Sequence, residues 1–193
     1  INTVLDLGDT FDNRKAIDFW SLDWSKKNYY YLLSDRGIKV YTVVGNHTAY
    51  YKNTLGINAI NLLLQEYENV HLIEKPETLN IGGLDICFIP WICDDNERES
   101  IKTIENSKAS IAMGHLEIKG FEMHSGHMNE HGQEKHVFKR FEKVMSGHFH
   151  KKSDDGHIYY LGTQYEMTWS DYHCPKGFHI FDTQTRELSR VPN

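Results

Sequence analysis

Val144-Met145-Ser146-Gly147-His148-Phe149-His150 organises the reading of the whole chain. It reads as a strand that runs into glycine and then offers two histidines one residue apart. Alternation along an extended backbone sends Val144, Ser146 and His148 to one side and Met145 and Gly147 to the other. After Gly147 that phase can break, because glycine lets the backbone turn or approach another group closely. Two imidazoles at i and i+2, on a loop at a strand end, suit a metal ion better than a hydrophobic core. A lone Gly-His-x-His is a weak sign, since a solvated loop with two histidines is the commoner arrangement. Three earlier segments of the same form strengthen it: Gly8-Asp9, Gly45-Asn46-His47 and Gly114-His115.

Each of these follows a short apolar run, so each reads as the carboxyl end of a strand. In open α/β sheets ligands collect outside such ends, and four of them can converge on one site. Together they supply one carboxylate, one amide and three imidazoles, with His47 left over. That mixed oxygen and nitrogen set suits manganese, zinc or iron and is too rich in nitrogen for calcium. Thiols are absent from all four segments, which argues against a structural zinc site.

Between these points the chain alternates helical and extended patterns. Residues 15–35 carry Ile17, Trp20, Trp24, Tyr31 and Leu32 at near-helical spacing and stop at Gly37, and Tyr29 to Tyr31 read as one packed face. Strands are expected at 2–7, 38–44, 71–73, 78–81, 84–89 and 110–113, and in the tail at 157–161, 177–181 and 187–191. Helices are expected at 56–67 and 97–106. Gly82-Gly83 marks a hairpin, and a polar, histidine-rich loop runs from His115 to about residue 136. The pattern predicts an α/β fold with antiparallel strands concentrated in the second half, two sheets packed between helices, in one domain over residues 1–193.

Composition limits the function classes. The chain has 193 residues with 39% hydrophobic and 12% aromatic content, enough for a sizeable core. The formal charge is 21 − 27 = −6, so no global basic field advertises a nucleic-acid partner; bound divalent cations would offset this locally. Cys87, Cys93 and Cys174 are odd in number and form no C-x-x-C pair, which makes a reducing compartment, the cytoplasm, the expectation. No apolar run is long enough for a membrane span, and no signal peptide is visible, although the chain begins at Ile1.

The series Gly8-Asp9-Thr10-Phe11-Asp12, Gly45-Asn46-His47, Gly114-His115 and Gly147-His148-Phe149-His150 resembles the calcineurin-like metallophosphoesterase superfamily. The phrase Gly114-His-Leu-Glu-Ile-Lys-Gly-Phe121, with Pro90-Trp91, Tyr160-Leu-Gly-Thr163 and Gly177-Phe-His-Ile-Phe-Asp182, is similar to its branch of SbcD-type DNA repair nucleases. Within that branch the likeness extends over nearly the whole chain to the recombination endonuclease subunits of T-even-like bacteriophages. The resemblance implies a two-sheet sandwich flanked by helices and two divalent metal ions, Mn2+ first, with Mg2+, Zn2+ or Fe2+ as alternatives. It implies that Asp9 bridges both ions, that Asn46, His115 and His148 complete the second, and that His150 belongs to the first. His47 would stabilise the scissile phosphate or protonate the leaving oxygen. Two cations that activate a water and hold a phosphate for in-line attack fit this chemistry, as does a histidine titrating near neutrality as proton donor. Asp12 would orient a ligand, or else cap a helix. The implied partners are DNA, an SbcC-like ATPase subunit and a second copy of the chain, the aromatic helix around Trp20, Trp24 and Tyr31 being the candidate dimer surface; no membrane is implied, and a viral relative would work in host cytoplasm.

Two departures follow. The family's opening Asp-x-His strand, which supplies two ligands to the first metal, would lie upstream of Ile1, and its DNA-capping and ATPase-docking regions would lie beyond Asn193. The family also places an acid after Gly-Asn-His, where this chain has Thr48; the expectation is that Thr48 leaves the His47 imidazolium less supported. His124, His127, His131 and His136 crowd one polar loop and read as solvated. Lys135, Lys139, Arg140, Lys143, Lys151 and Lys152 make a local basic strip, with Lys151 and Lys152 as candidate DNA contacts. Three functions compete: a manganese-dependent DNA nuclease (exonuclease or endonuclease) of recombination and repair, a phosphoesterase on a small phosphodiester or phosphoprotein, and a catalytically degenerate binding module.

Overall fold

A computed structural model describes residues 1–124 and 126–193, apart from the side chain of His124. Its first sheet is parallel, in the order β1 (Thr3–Asp6), β2 (Lys39–Val43), β3 (Val70–Ile73). The second sheet holds six strands: β4 (Glu77–Ile81), β5 (Leu84–Ile89), β6 (Ile111–Gly114), β9 (Lys143–Ser146), β10 (Ser153–Asp154) and β11 (Ile158–Tyr160), in the order β10-β11-β9-β6-β5-β4. Its middle, β5, β6, β9 and β11, is parallel, and its edges β4 and β10 are antiparallel. Two small hairpins, β7 (Glu122–His124) with β8 (His127–Met128) and β12 (Gly177–Phe181) with β13 (Leu188–Pro192), complete the strands.

Strand alternation sorts the core into layers. Ile86 and Phe88 of β5, Ile111 and Met113 of β6 and Met145 of β9 point toward the first sheet, where they meet Leu7, Val43 and Ile73. Cys87, Ile89, Ala112 and Val144 point to the other face and pack on Ile104 of α4 (Glu97–Asn106), with Phe138 and Phe141 beside it. Beyond the first sheet, Val44, Ile60 and Leu64 of α3 (Ala59–Leu64) and Tyr30 form a third layer. This is the mixed α/β, two-sheet sandwich flanked by helices that the sequence predicts.

The first helical region differs from expectation. It begins at α1 (Phe19–Ser25), where Asp18 caps the first turn by accepting from the Ser21 N–H at 2.9 Å. It passes through wide π-type turns over Lys26–Tyr30 into α2 (Tyr31–Asp35). The tyrosines do not share a face. Successive helical residues diverge by about 100°, so only Tyr30 reaches the core, against Tyr67 with ring centroids 5.3 Å apart. Phe19 is 90% exposed, Trp20 73% and Trp24 52%, so the aromatic residues of α1 lie on the surface. No described helix is long and apolar enough to cross a membrane.

Candidate metal centre at four strand ends

β1 and β2 are parallel neighbours in one sheet, and β6 and β9 are parallel neighbours in the other. Their carboxyl ends face each other across the sandwich, which brings together segments more than a hundred residues apart. His115, fully buried, follows β6 directly, and its Nδ1 donates to the Leu7 carbonyl of the opposite sheet at 2.9 Å. That bond places the Nδ1 proton and leaves Nε2 facing inward. Nε2 stands 2.9 Å from Asn46 Oδ1, 3.1 Å from Asp9 Oδ2 and 3.1 Å from His148 Nδ1. His148 Nδ1 lies 3.0 Å from Asn46 Oδ1.

This closeness requires the flanking glycines. A methyl group on Gly45 would stand 2.2 Å from Asp9 Oδ1, and one on Gly8 2.5 Å from His115 Nδ1. Asp9 and His148 themselves adopt left-handed backbone conformations, φ 58° and 82°, unusual for residues with a side chain. Strain of this kind is held in place by the surrounding structure and clusters at functional sites.

The donor chemistry fits a cation. Burial and the neighbouring His115 push the His148 imidazole down to about 3, so it is neutral at ordinary pH. His115 Nε2 thus faces three possible acceptors at once, Asn46 Oδ1, Asp9 Oδ2 and His148 Nδ1. A proton on His115 would serve one acceptor, whereas a cation among the four atoms satisfies all of them. Burial alone would raise the Asp9 carboxyl, but the His115 imidazole and the His47 backbone N–H outweigh it and hold it below the usual carboxylate range. Asp9, His115 and His148 are the grouping of His, Cys, Asp or Glu among the described residues that could hold a metal ion, and Asn46 adds an amide oxygen.

His47 stands at the rim. Its backbone N–H donates to Asp9 Oδ1 at 2.7 Å, tying the loop to the cluster. Its ring Nδ1 donates to the Asp12 carbonyl at 2.7 Å, with the Asp12 carboxylate 3.4 Å away, so Nε2 is the outward atom. Asp12 therefore orients His47; it caps no helix, that place being taken by Asp18. Thr48 has its own partner. It is fully buried and turned away from the imidazole, its hydroxyl accepting from the Gly45 N–H at 2.9 Å and donating to the Gly45 carbonyl at 3.0 Å. Thr48 holds the Gly45–Asn46–His47 turn; support for His47 comes from Asp12. Thr48→Val, which removes both bonds and orphans the buried Gly45 N–H, is expected to cost about 1–3 kcal/mol, read as a lower urea midpoint at unchanged slope.

His150 is not drawn into the cluster. Its ring Nδ1 faces Asp171 Oδ2 at 3.3 Å. Asp171 is buried among an ammonium and two backbone N–H groups: Lys176 Nζ at 2.9 Å, Met167 at 3.1 Å and Thr168 at 3.0 Å. Burial raises its carboxyl, but these donors overcome that and hold it well below the usual range. Sequence reasoning missed Asp171 and Lys176 altogether. The one available signal was the Thr168-x-x-Asp171 spacing, a form of helix-start box.

The basic strip is largely spent internally. Lys151 pairs with Glu122 at 2.5 Å, Lys152 with Asp154 at 3.0 Å and Lys135 with Asp155 at 2.9 Å. Arg140 and Lys143 donate to backbone carbonyls. Of the loop histidines, the His124 side chain lies outside the described residues.

No protein-family model matches the chain. It is 39% identical to "Exonuclease subunit 1" of Enterobacteria phage T4 over 193 residues, which is 100% of this chain and 56% of that protein. The chain thus spans about half the length of the curated relative it matches. Among solved structures, a hypothetical protein from Thermus thermophilus is similar in fold, with a TM-score of 0.51, 18% identity and coverage of 100% of this chain and 88% of that one. A novel archaeal phosphodiesterase gives a TM-score of 0.47 with 11% identity, covering 100% of this chain and 84% of that one. On the sequence identity, which runs from the first residue to the last, the chain is a homologue of the phage T4 exonuclease subunit over the part of that subunit it spans.

Proposed function

We propose that the chain is the phosphodiester-hydrolysing domain, residues 1–193, of a metal-dependent DNA nuclease. The single observation that supports this most is the donor-poor contact of Asp9, Asn46, His115 and His148 at four strand ends, with His47 at its rim. The likeness to a phage exonuclease subunit supports DNA as substrate and a partner subunit; the resemblance of the motifs to SbcD-type nucleases suggests an SbcC-like ATPase of recombination and repair as that partner and manganese as the metal. A second copy of the chain on the exposed Phe19, Trp20 and Trp24 face is a further proposed partner.

Asp9, Asn46, His115 and His148 would hold one divalent ion, and Asp9 with His150 would contribute to a second. Bound there, such ions polarise a phosphate and lower the pKa of water to make a nucleophile. The chain's own residues do the rest. Leu7 and Asp12 fix the tautomers of His115 and His47 through their carbonyls. His47, with Nε2 outward and the Asp12 carboxylate beside its ring, is placed to carry a proton to the leaving oxygen. A phosphate approaching Lys151 or Lys152 would compete with Glu122 and Asp154 for their ammonium groups.

The test is manganese binding per chain, by calorimetry, beside cleavage of linear DNA and of a small chromogenic phosphodiester. Manganese bound by the native chain and lost in Asp9→Ala, with DNA cleaved, is the expected outcome. Hydrolysis of the small diester without cleavage of DNA would move the substrate to the phosphoesterase alternative. No divalent ion bound by the native chain would remove the metal centre and leave the binding-module alternative.

A further inference from the structure

The Asp171–Lys176 pair is buried, its side chains 4% and 6% exposed, with Oδ1 and Nζ 2.9 Å apart. Taking two charges out of water costs about as much as their attraction returns, and apolar residues often replace such pairs without loss. Stability alone therefore does not account for the pair, and its remaining bonds point elsewhere. Lys176 Nζ donates to the main-chain carbonyl of His150 at 2.8 Å and to Thr163 Oγ1 at 2.8 Å, while the Thr163 N–H donates to the same carbonyl at 3.1 Å. Asp171 Oδ2 takes the His150 ring Nδ1. The Met167 and Thr168 N–H groups fix that oxygen on its own short 3-10 turn, Trp169–Asp171. One ion pair thus grips His150 at two points, the ammonium on its backbone and the carboxylate on its ring.

We infer that Asp171 is a positioning residue for His150: its carboxylate accepts the Nδ1–H, selects that tautomer, and leaves Nε2 with the lone pair a divalent ion needs, while Lys176 clamps the backbone. This rests on the metal reading of the strand-end cluster. Metal-binding histidines generally donate their other ring N–H to a carboxylate or carbonyl, and His115 does the same toward Leu7. After His115 and His47, His150 would then be the third ring at this site whose tautomer is set by a neighbouring oxygen.

The test is nitrogen NMR of the ¹⁵N-histidine-labelled, metal-free full chain at pH 8, with His150 assigned through His150→Gln. The native chain is expected to show His150 as the Nδ1–H tautomer. In the double variant Asp171→Leu with Lys176→Met, which leaves no lone buried charge, His150 is expected to move to the Nε2–H form that free imidazole prefers, with His115 unchanged. Should the double variant not fold, Asp171→Asn retains an acceptor for Met167 and Thr168 and is expected to give a mixture of the two tautomers. An Nε2–H tautomer in the native chain, or a His150 signal unmoved in a folded variant, overturns the inference. Manganese added afterwards separates the underlying reading. No broadening of the His115 and His148 signals removes the metal centre, whatever the tautomer of His150.

Discussion

Replacing His148 by glycine is expected to weaken manganese binding by about 100-fold or more while leaving the metal-free chain nearly as stable as the native one. Altering groups that merely orient a metal ligand costs about 10–100-fold in affinity, so deleting a ring in the cluster itself sets that as a lower limit. The stability half follows from the backbone. At φ 82° His148 sits in a left-handed conformation, which costs a residue with a side chain on the order of 1–3 kcal/mol and costs glycine little. The relief offsets the packing lost beside His115 and Phe149, whose ring centroids lie 5.0 and 4.9 Å from that of His148. Thermal melts with and without manganese read both halves at once. A ligand that binds only the folded state raises its stability in proportion to ln(1 + [L]/Kd), so the native melt should rise with manganese and the variant's should stay put. A variant that melts far below the native chain without metal would show that His148 is there for packing, and the site reading would lose its main support.

The second large effect concerns Lys176→Met made alone. It leaves the Asp171 carboxylate buried without its ammonium, and breaking a buried pair from one side costs about 3–5 kcal/mol. For a chain of this size each kcal/mol moves the melting point by about 2–4 °C, so a drop of roughly 6–20 °C is expected. Adding Asp171→Leu to the same chain should recover most of the loss, because the second change removes the orphaned charge. Two single variants whose losses simply add would contradict this account of the pair.

The fold was readable where periodicity speaks for itself. Residues 84–89 and 177–181 and the helix at 97–106 stand as the pattern drew them, because buried strands and amphipathic helices write their burial into alternation. Tyr29 to Tyr31 were misread as one packed face because three successive helical residues point in three directions, and only Tyr30 is buried. Where the four glycine-terminated segments meet was legible because the same close approach excludes a side chain at each turn. Asp171 was not legible. It reaches His150 only through the three-dimensional path of the 163–176 segment, and a lone aspartate in a polar stretch carries no period. The partner of Thr48 was not legible for a related reason: the residue after His47 is buried and bonds back to Gly45, and neighbours in sequence on a tight turn need not be neighbours in space.

The contacts at the strand ends also bear on how the protein reaches its native state. His115 meets Leu7 across 108 residues, and His148 meets Asn46 across 102. Chains rich in such long-range, partly parallel pairings form slowly, because loop closure must come before any reward from the contacts it permits. None of these pairs can exist until both sheets have formed and docked. The His115 and His148 ring signals therefore report completion of folding, later than any signal from a single helix or hairpin. A refolding experiment that follows those rings beside far-ultraviolet circular dichroism should find secondary structure first and the ring contacts last.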